Sequence, residues 1–249
     1  MKCAFISDLH INSPEDDAAK IFVAFCRHEK TQKSDRIVLL GDIFDFLVGD
    51  HYSYIFKYEF FFKEISKLIN SGKEVVFIEG NHDFHFKKAF EKYIKLECHT
   101  PNKFRYLLSG EELILGDKKY LYCHGYEVDY DNMAFKKWYK IYSSKLFKFF
   151  TTYLLTFGLI QKMGAWASKD SKKRGKKTFD LPVMKEKYIQ GAKALIKERN
   201  IQGVIAGHTH IAEFHTFKNG TIYLNTGFPV KDKHFIYFNG EKFQKESLS

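Results

Sequence analysis

Leu39-Leu40-Gly41-Asp42-Ile43-Phe44-Asp45 is the stretch whose reading decides the fold. The apolar run Arg36–Leu40 reads as a short β-strand, Gly41 as a sharp turn and Asp42 as a carboxylate at the strand tip. Four more apolar runs end in the same style. Lys2–Ser7 leads into Asp8-Leu9-His10, Glu74–Glu79 into Gly80-Asn81-His82-Asp83, Lys119–Cys123 into His124-Gly125, and Gly203–Ala206 into Gly207-His208-Thr209-His210. In an open α/β sheet, ligands gather outside the carboxyl ends of the strands. One Gly-His-Thr-His can be a turn with core histidines, and one Asp-Leu-His says little. The repetition at strand ends carries the reading.

Helical periods separate the first strands. Asp16–Glu29 has Ala19, Phe22, Val23 and Phe25-Cys26 at helical spacing, and Tyr54–Asn70 reads as one helix stopped by Ser71-Gly72. Strand–helix–strand alternation predicts a mainly parallel sheet with right-handed crossovers. Phe104–Ser109, Glu112–Leu115 and Lys119–Cys123 are separated by Gly110 and Gly116-Asp117, so antiparallel pairing is expected there. Ala212–Phe217, Thr221–Asn225 and His234–Phe238 repeat that style, with turns at Asn219-Gly220 and Asn239-Gly240. The economical architecture is two sheets packed face to face and flanked by helices. It forms one domain over 1–249 with a helical insertion at about 130–180.

The charge is unevenly placed. Residues 131–177 hold twelve Lys or Arg against two Asp and no Glu, which equals the chain's net charge of +10 and leaves the remainder neutral. The same island carries Phe- and Leu-rich Leu146–Ile160. A solvated Lys-rich helical face and a surface for anionic lipid both fit this pattern. Cys3, Cys26, Cys98 and Cys123 lack paired spacing and read as free buried thiols of a reducing compartment. Met1-Lys2-Cys3 enters a strand directly, so no signal peptide is expected, and no run of about 20 apolar residues would span a membrane. A cytoplasmic protein, peripheral on the inner membrane surface, is the expectation.

Together the strand-end motifs offer Asp8, His10, Asp42, Asn81, His124, His208 and His210. Two divalent cations roughly 3.5–4 Å apart need a shared anionic bridge plus mixed oxygen and nitrogen donors. Asp42 is the expected bridge. Carboxylate and imidazole suit Mn²⁺ first, with Fe or Zn²⁺ as alternatives.

As a set, these motifs resemble the calcineurin-like metallophosphoesterase superfamily over 1–128 and 200–239. The resemblance implies a four-layer α/β/β/α sandwich and hydrolysis of a phosphate ester or anhydride. It implies one metal on Asp8, His10, Asp42 and His210, and a second on Asp42, Asn81, His124 and His208. His82 would contact the phosphoryl group or protonate the leaving oxygen, with Asp45 as its partner. A structural histidine and a helix N-cap are the blander readings of these two. His51 and His85 lie near motif loops and could reach substrate or serve packing.

A narrower resemblance is carried by Gly41–Asp50 and by His124-Gly125-Tyr126-Glu127-Val128-Asp129-Tyr130-Asp131. Both are similar to the bacterial UDP-2,3-diacylglucosamine pyrophosphatases of lipid A synthesis. That family releases UMP and a diacylated sugar phosphate, and its helical insertion is a lid over acyl chains and sugar phosphate. The implied substrate contacts are Asp129, Ser168, Lys169, Lys172, Lys173 and Arg174, with Phe147, Phe149, Phe150, Leu154 and Leu155 for acyl chains. The chain departs from the best-known branch, which has Arg in place of His82 and Asp in place of Tyr126. The partner expected is a nucleotide-linked lipid or another phosphoester. Neither nucleic acid nor an obligate protein partner is expected. Two other functions stay open: a general phosphodiesterase or phosphatase of this superfamily, and a non-catalytic membrane or nucleic-acid binding protein on a decayed enzyme fold.

Overall fold

The computed structural model describes residues 1–129, 137, 139–141, 143–164 and 181–248. Its first strands are β1 (Cys3–Ile6), β2 (Arg36–Leu39), β4 (Glu74–Ile78) and β6 (Phe104–Leu107), all mutually parallel. The hairpin β12 (His234–Phe238) and β13 (Phe243–Ser247) adds antiparallel to β1 and completes a six-stranded sheet in the order β13-β12-β1-β2-β4-β6. A five-stranded sheet runs β10-β11-β9-β8-β7, from β7 (Glu111–Leu115), β8 (Lys118–Tyr122), β9 (Gly203–Ala206), β10 (Glu213–Thr216) and β11 (Ile222–Asn225). A small parallel pair, β3 (Leu47–Val48) with β5 (Asp83–Phe84), ties together the loops that follow β2 and β4.

The near-continuous apolar strands have a simple cause, because both of their faces are buried. Alternation splits each strand between two cores. From β1, β2 and β4, residues Phe5, Val38 and Val76 turn into the space between the sheets, with Tyr122, Ile205 and Leu224 opposite. Ile6, Leu39 and Phe77 turn outward, under α1 (Asp17–Arg27), α4 (Glu59–Asn70) and α5 (Lys87–Glu97), where Phe22, Phe61 and Phe90 fill the layer. On the far side Leu121 and Val204 meet Ile189 and Ala192. The short helices α2 (Glu29–Gln32) and α3 (Ser53–Lys57) flank the first outer layer; α6 (Lys145–Phe149) comes after β8 in the chain and before α7 (Leu181–Arg199), the helix of the far layer. Four layers, α/β/β/α, result, as the sequence led us to expect.

Two elements differ from expectation. Tyr54–Asn70 is not one helix. Tyr58 leaves helical angles at φ −115°, ψ 36°, and its fully buried ring packs 4.5 Å from that of Phe44. Nor does β6 join an antiparallel meander. Phe104 and Tyr106 belong to the outer core, so β6 pairs with β4, and the chain crosses at Ser109-Gly110 to start the second sheet. Only a glycine permits that crossing: a Cβ on Gly110 would lie 2.4 Å from the Cβ of Cys123.

Candidate metal centre

Each candidate side chain is delivered by a strand tip. Asp8 and His10 follow β1, Asp42 and Asp45 follow β2, Asn81 and His82 follow β4, His124 follows β8, and His208 and His210 follow β9. The loops zip to one another. Asp8 N–H donates to the Gly41 carbonyl (3.1 Å), His10 N–H to that of Asp42 (3.0 Å), and Gly207 N–H to that of His124 (2.7 Å). His124 Nδ1–H donates to the Leu40 carbonyl across the two sheets (2.7 Å), which leaves Nε2 for the centre.

The backbone is bent hard to achieve this. Asp8, His10, Asp42, His208 and His210 all have positive φ, between 51° and 71°. Each such residue costs on the order of 1–3 kcal/mol and persists where the surroundings over-determine it. Glycines give the room: a Cβ on Gly80 would sit 2.2 Å from Asp42 Oδ1.

Seven expected donors meet in two groups. In the first, His10 Nε2 and His210 Nε2 are 3.0 Å apart, and Asp8 Oδ1 is 3.3 Å from His210 Nε2. In the second, His124 Nε2 is 3.2 Å from His208 Nδ1 and 3.1 Å from Asn81 Oδ1. Asp42 Oδ2 stands between the groups, 3.9 Å from His10 Nε2 and 3.5 Å from His124 Nε2.

The electrostatics suit a cation. Burial works against the charge of Asp42, but the imidazoles of His124 and His82 outweigh it and hold the carboxyl well below its usual range. Asp8 is held low against burial by His210 and His124. Burial pushes His10 down to about 4; burial and the adjacent His124 push His208 down to about 4 as well. His124 is lifted to about 10, because Asp42 and Asp8 overcome its own burial. Ionised carboxylates beside imidazoles, of which His10 and His208 are held neutral, form a donor set for borderline divalent metals. Asp8 Oδ1 is fully buried and accepts no well-formed hydrogen bond; its near neighbour is His210 Nε2 at 3.3 Å, itself a candidate ligand. The residues present therefore fit divalent cations: Asp8, His10 and His210 on one side, Asn81, His124 and His208 on the other, and Asp42 between.

His82 stands beside this set, its ring 4.7 Å from that of His10. Its Nδ1–H donates to the backbone carbonyl of Asp45 at 2.7 Å, whereas the sequence led us to expect a carboxylate partner. The Asp45 carboxylate lies nearby, in a cluster with His10 and His82. A tight loop lets the main chain do the orienting. Asp129 is buried and paired with Lys187 of α7 at 2.5 Å. His51 Nε2–H donates to the Thr151 carbonyl and His85 is buried against Phe84, so both pack against neighbours. Ser168, Lys169, Lys172, Lys173 and Arg174 lie outside the described residues.

Asp83 had no role assigned from sequence. Its carboxylate accepts from the N–H groups of Asp42 (2.9 Å), Ile43 (2.6 Å), Phe44 (3.2 Å) and Gly80 (2.9 Å). It is the clamp that shapes the Asp42 loop, and its place beside Asn81-His82 was the available signal.

The family model described as calcineurin-like phosphoesterase matches residues 1–212. The chain belongs to that family. This calcineurin-like phosphoesterase is therefore a metal-dependent phosphoester hydrolase. It is 28% identical over 219 residues to a Haemophilus influenzae protein named UDP-2,3-diacylglucosamine hydrolase, covering 85% of this chain and 84% of that one. A Vibrio cholerae protein of the same name is 29% identical over 238 residues, covering 93% and 90%. A solved archaeal phosphodiesterase shares the fold, with a TM-score of 0.50 at 14% identity over 99% of both chains.

Residues within 139–164 pack next to the centre. Phe46, Tyr139, Phe147 and Leu155 pack on the small cluster of Val48, Phe84 and Ile160. Tyr139 packs on Tyr126 (5.0 Å between rings), and Tyr126 on His124 (5.8 Å). Leu146, Phe149, Phe150, Tyr153 and Leu154 remain exposed. No helix among the described residues is long and apolar enough to cross a membrane.

Proposed function

We propose that this phosphoesterase hydrolyses the pyrophosphate of UDP-2,3-diacylglucosamine, giving UMP and 2,3-diacylglucosamine 1-phosphate. One observation carries the reading: relatives of that name align along 85–93% of the chain. The exposed apolar side chains within 146–154, beside the Tyr139–Tyr126–His124 contacts, suit a substrate with acyl chains.

When bound, two divalent cations, Mn²⁺ in our reading, would supply Lewis acidity and a water acidic near neutral pH. The chain's own part is to aim and to balance charge. Asp42 holds the middle of the site. His82 carries a raised proton affinity, since Asp42 and the Asp45 carbonyl outweigh its burial. With Nδ1 committed to that carbonyl, Nε2 is the nitrogen that meets the phosphoryl oxygens. In a pyrophosphate the leaving oxygen departs as a phosphate anion, so His82 acts there by charge. Asp129, Ser168, Lys169, Lys172, Lys173 and Arg174 are proposed to hold the sugar phosphate. The same apolar side chains would meet the inner membrane surface.

His82 also favours a second reading, because it matches the general superfamily pattern and not the Arg of the lipid branch. A general phosphodiesterase would need His82 to protonate a poorer leaving group. Phosphorus NMR of products from Mn²⁺-loaded protein, offered a panel of nucleotide-linked lipids and nucleotides, decides. UMP release from the diacylated sugar nucleotide is expected. Turnover of soluble nitrophenyl esters alone, with no UMP, would reject the lipid substrate.

A further inference from the structure

We propose that Thr226 and Phe228 are positioning residues that fix Asp8 and His210, and so set the affinity of the Asp8–His10–His210 half of the metal centre. Both lie just past β11, beyond residue 212 where the family match ends, and outside every strand-end motif. The inference rests on reading Asp8, His10 and His210 as ligands.

Asp8 is held by a hydrogen-bond chain. Its Oδ2 accepts from the Ser7 hydroxyl and from His208 N–H at 2.8 Å. The Ser7 hydroxyl spends its single proton on Asp8. The hydroxyl of Thr226, 2.5 Å away, then donates to Ser7 Oγ in preference to the Ala206 carbonyl, which lies at 3.4 Å. Thr226 is itself pinned, its N–H donating to the Ala206 carbonyl at 2.9 Å. The chain closes only because residue 207 is glycine: a Cβ there would lie 2.0 Å from Ser7 Oγ and 2.3 Å from Asp8 Oδ2. With Oδ2 saturated, Oδ1 is the oxygen left for a cation.

His210 needs a different support. Its side chain is 44% exposed, against 14% for His10 and 0% for His124, and its backbone sits at φ 55°. Beyond the contacts of Nε2 with His10 and Asp8, packing on the protein side must hold the ring. Phe228 supplies it, nearly parallel to the imidazole at 10° with centroids 5.2 Å apart, and tilted against His10 at 6.4 Å. Phe228 is in turn fixed: its N–H donates to Asp232 Oδ2 at 2.8 Å, its carbonyl accepts from Asp232 N–H at 2.8 Å, and Gly227 makes the turn at φ 73°. The short helix α8 (Pro229–Asp232) closes this brace. Groups that orient a ligand typically contribute about 10–100-fold to metal affinity.

The test is a Mn²⁺ titration of metal-stripped full-length protein by calorimetry and electron paramagnetic resonance, with the apo melting temperature read in parallel. Phe228→Leu, which keeps bulk and loses the flat face, should weaken one of two sites by about 10–100-fold and leave the other as in the parent. Phe228→Trp should restore it. Thr226→Val, which keeps shape and loses the hydroxyl, should weaken the same site. Two sites unchanged in both Phe228→Leu and Thr226→Val would overturn the proposal. So would equal weakening of both sites with a fall in the apo melting temperature, which marks a merely structural role. The control is His210→Ala. If it leaves both sites intact, the ligand reading itself has failed, a result distinct from intact binding in the Phe228 and Thr226 variants alone.

Discussion

At the scale of single residues, the centre is a set of side chains forced together at a cost, and the residues that force them are as telling as the donors. Asp83 is the clearest case. Asp83→Ala would orphan the buried N–H groups of Asp42, Ile43 and Phe44, while Gly80 N–H keeps the main-chain carbonyl of residue 83. Each such group costs about 1–3 kcal/mol, so a loss of at least about 3 kcal/mol is expected in urea unfolding of the apo protein. Asp83→Asn, which keeps one acceptor oxygen, should fall between. His82 makes a different prediction, because it acts on the substrate. His82→Ala should keep its metal content and lose about 10²–10⁴-fold in kcat on esters with poor leaving groups. The loss should shrink as the leaving group becomes more acidic. A series of aryl phosphoesters measures the slope, and a flat series would remove proton donation from the role of His82. The donors were legible in sequence because each is read relative to its own strand end. Thr226, Phe228 and the carbonyl of Asp45 were not, because a stack, a hydroxyl relay and a main-chain acceptor exist only once distant segments are packed.

Among elements, periodicity located the strands well, since strands buried on both faces announce themselves as apolar runs. It could not tell which sheet a strand would join. β6 looks like its neighbours β7 and β8 in sequence, yet Phe104 and Tyr106 fit the outer core and draw it to β4. The break at Tyr58 was equally silent, because a buried aromatic is compatible with helix until its ring is required elsewhere. Helix α1 is joined to α4 by Arg27, which donates to Glu64 Oε1 at 2.8 Å, and Lys67 within α4 donates to the same oxygen at 2.8 Å. Burial alone would raise the carboxyl of Glu64, but these two cations outweigh it and hold it below the ordinary range. A depressed folded-state pKa adds stability above the unfolded value, near 4.3, and loses it as pH falls through the folded value. The parent should therefore exceed Glu64→Gln in urea midpoint at about pH 7, and the gap should close below about pH 4. A gap that persists in acid would mean that packing, not charge, joins these helices.

For the molecule as a whole, the sandwich presents its strand tips to one side, and the helical residues 145–154 stand beside them. Leu146 is 78% exposed and Leu154 60%, with Lys145 and Lys148 among them. Such a face is expected to bind vesicles rich in anionic lipid, and to release them as salt rises. Leu146→Asp together with Leu154→Asp should abolish cosedimentation and leave turnover of a soluble ester unchanged. Retained cosedimentation would place the lipid contact elsewhere.

The central claim is that five strand ends make a cage for two cations with Asp42 between them. Anomalous scattering from a Mn²⁺-soaked crystal tests it most directly. Two peaks are expected to flank Asp42, one against Asp8, His10 and His210 and one against Asn81, His124 and His208. A map with no peak at these side chains would contradict it.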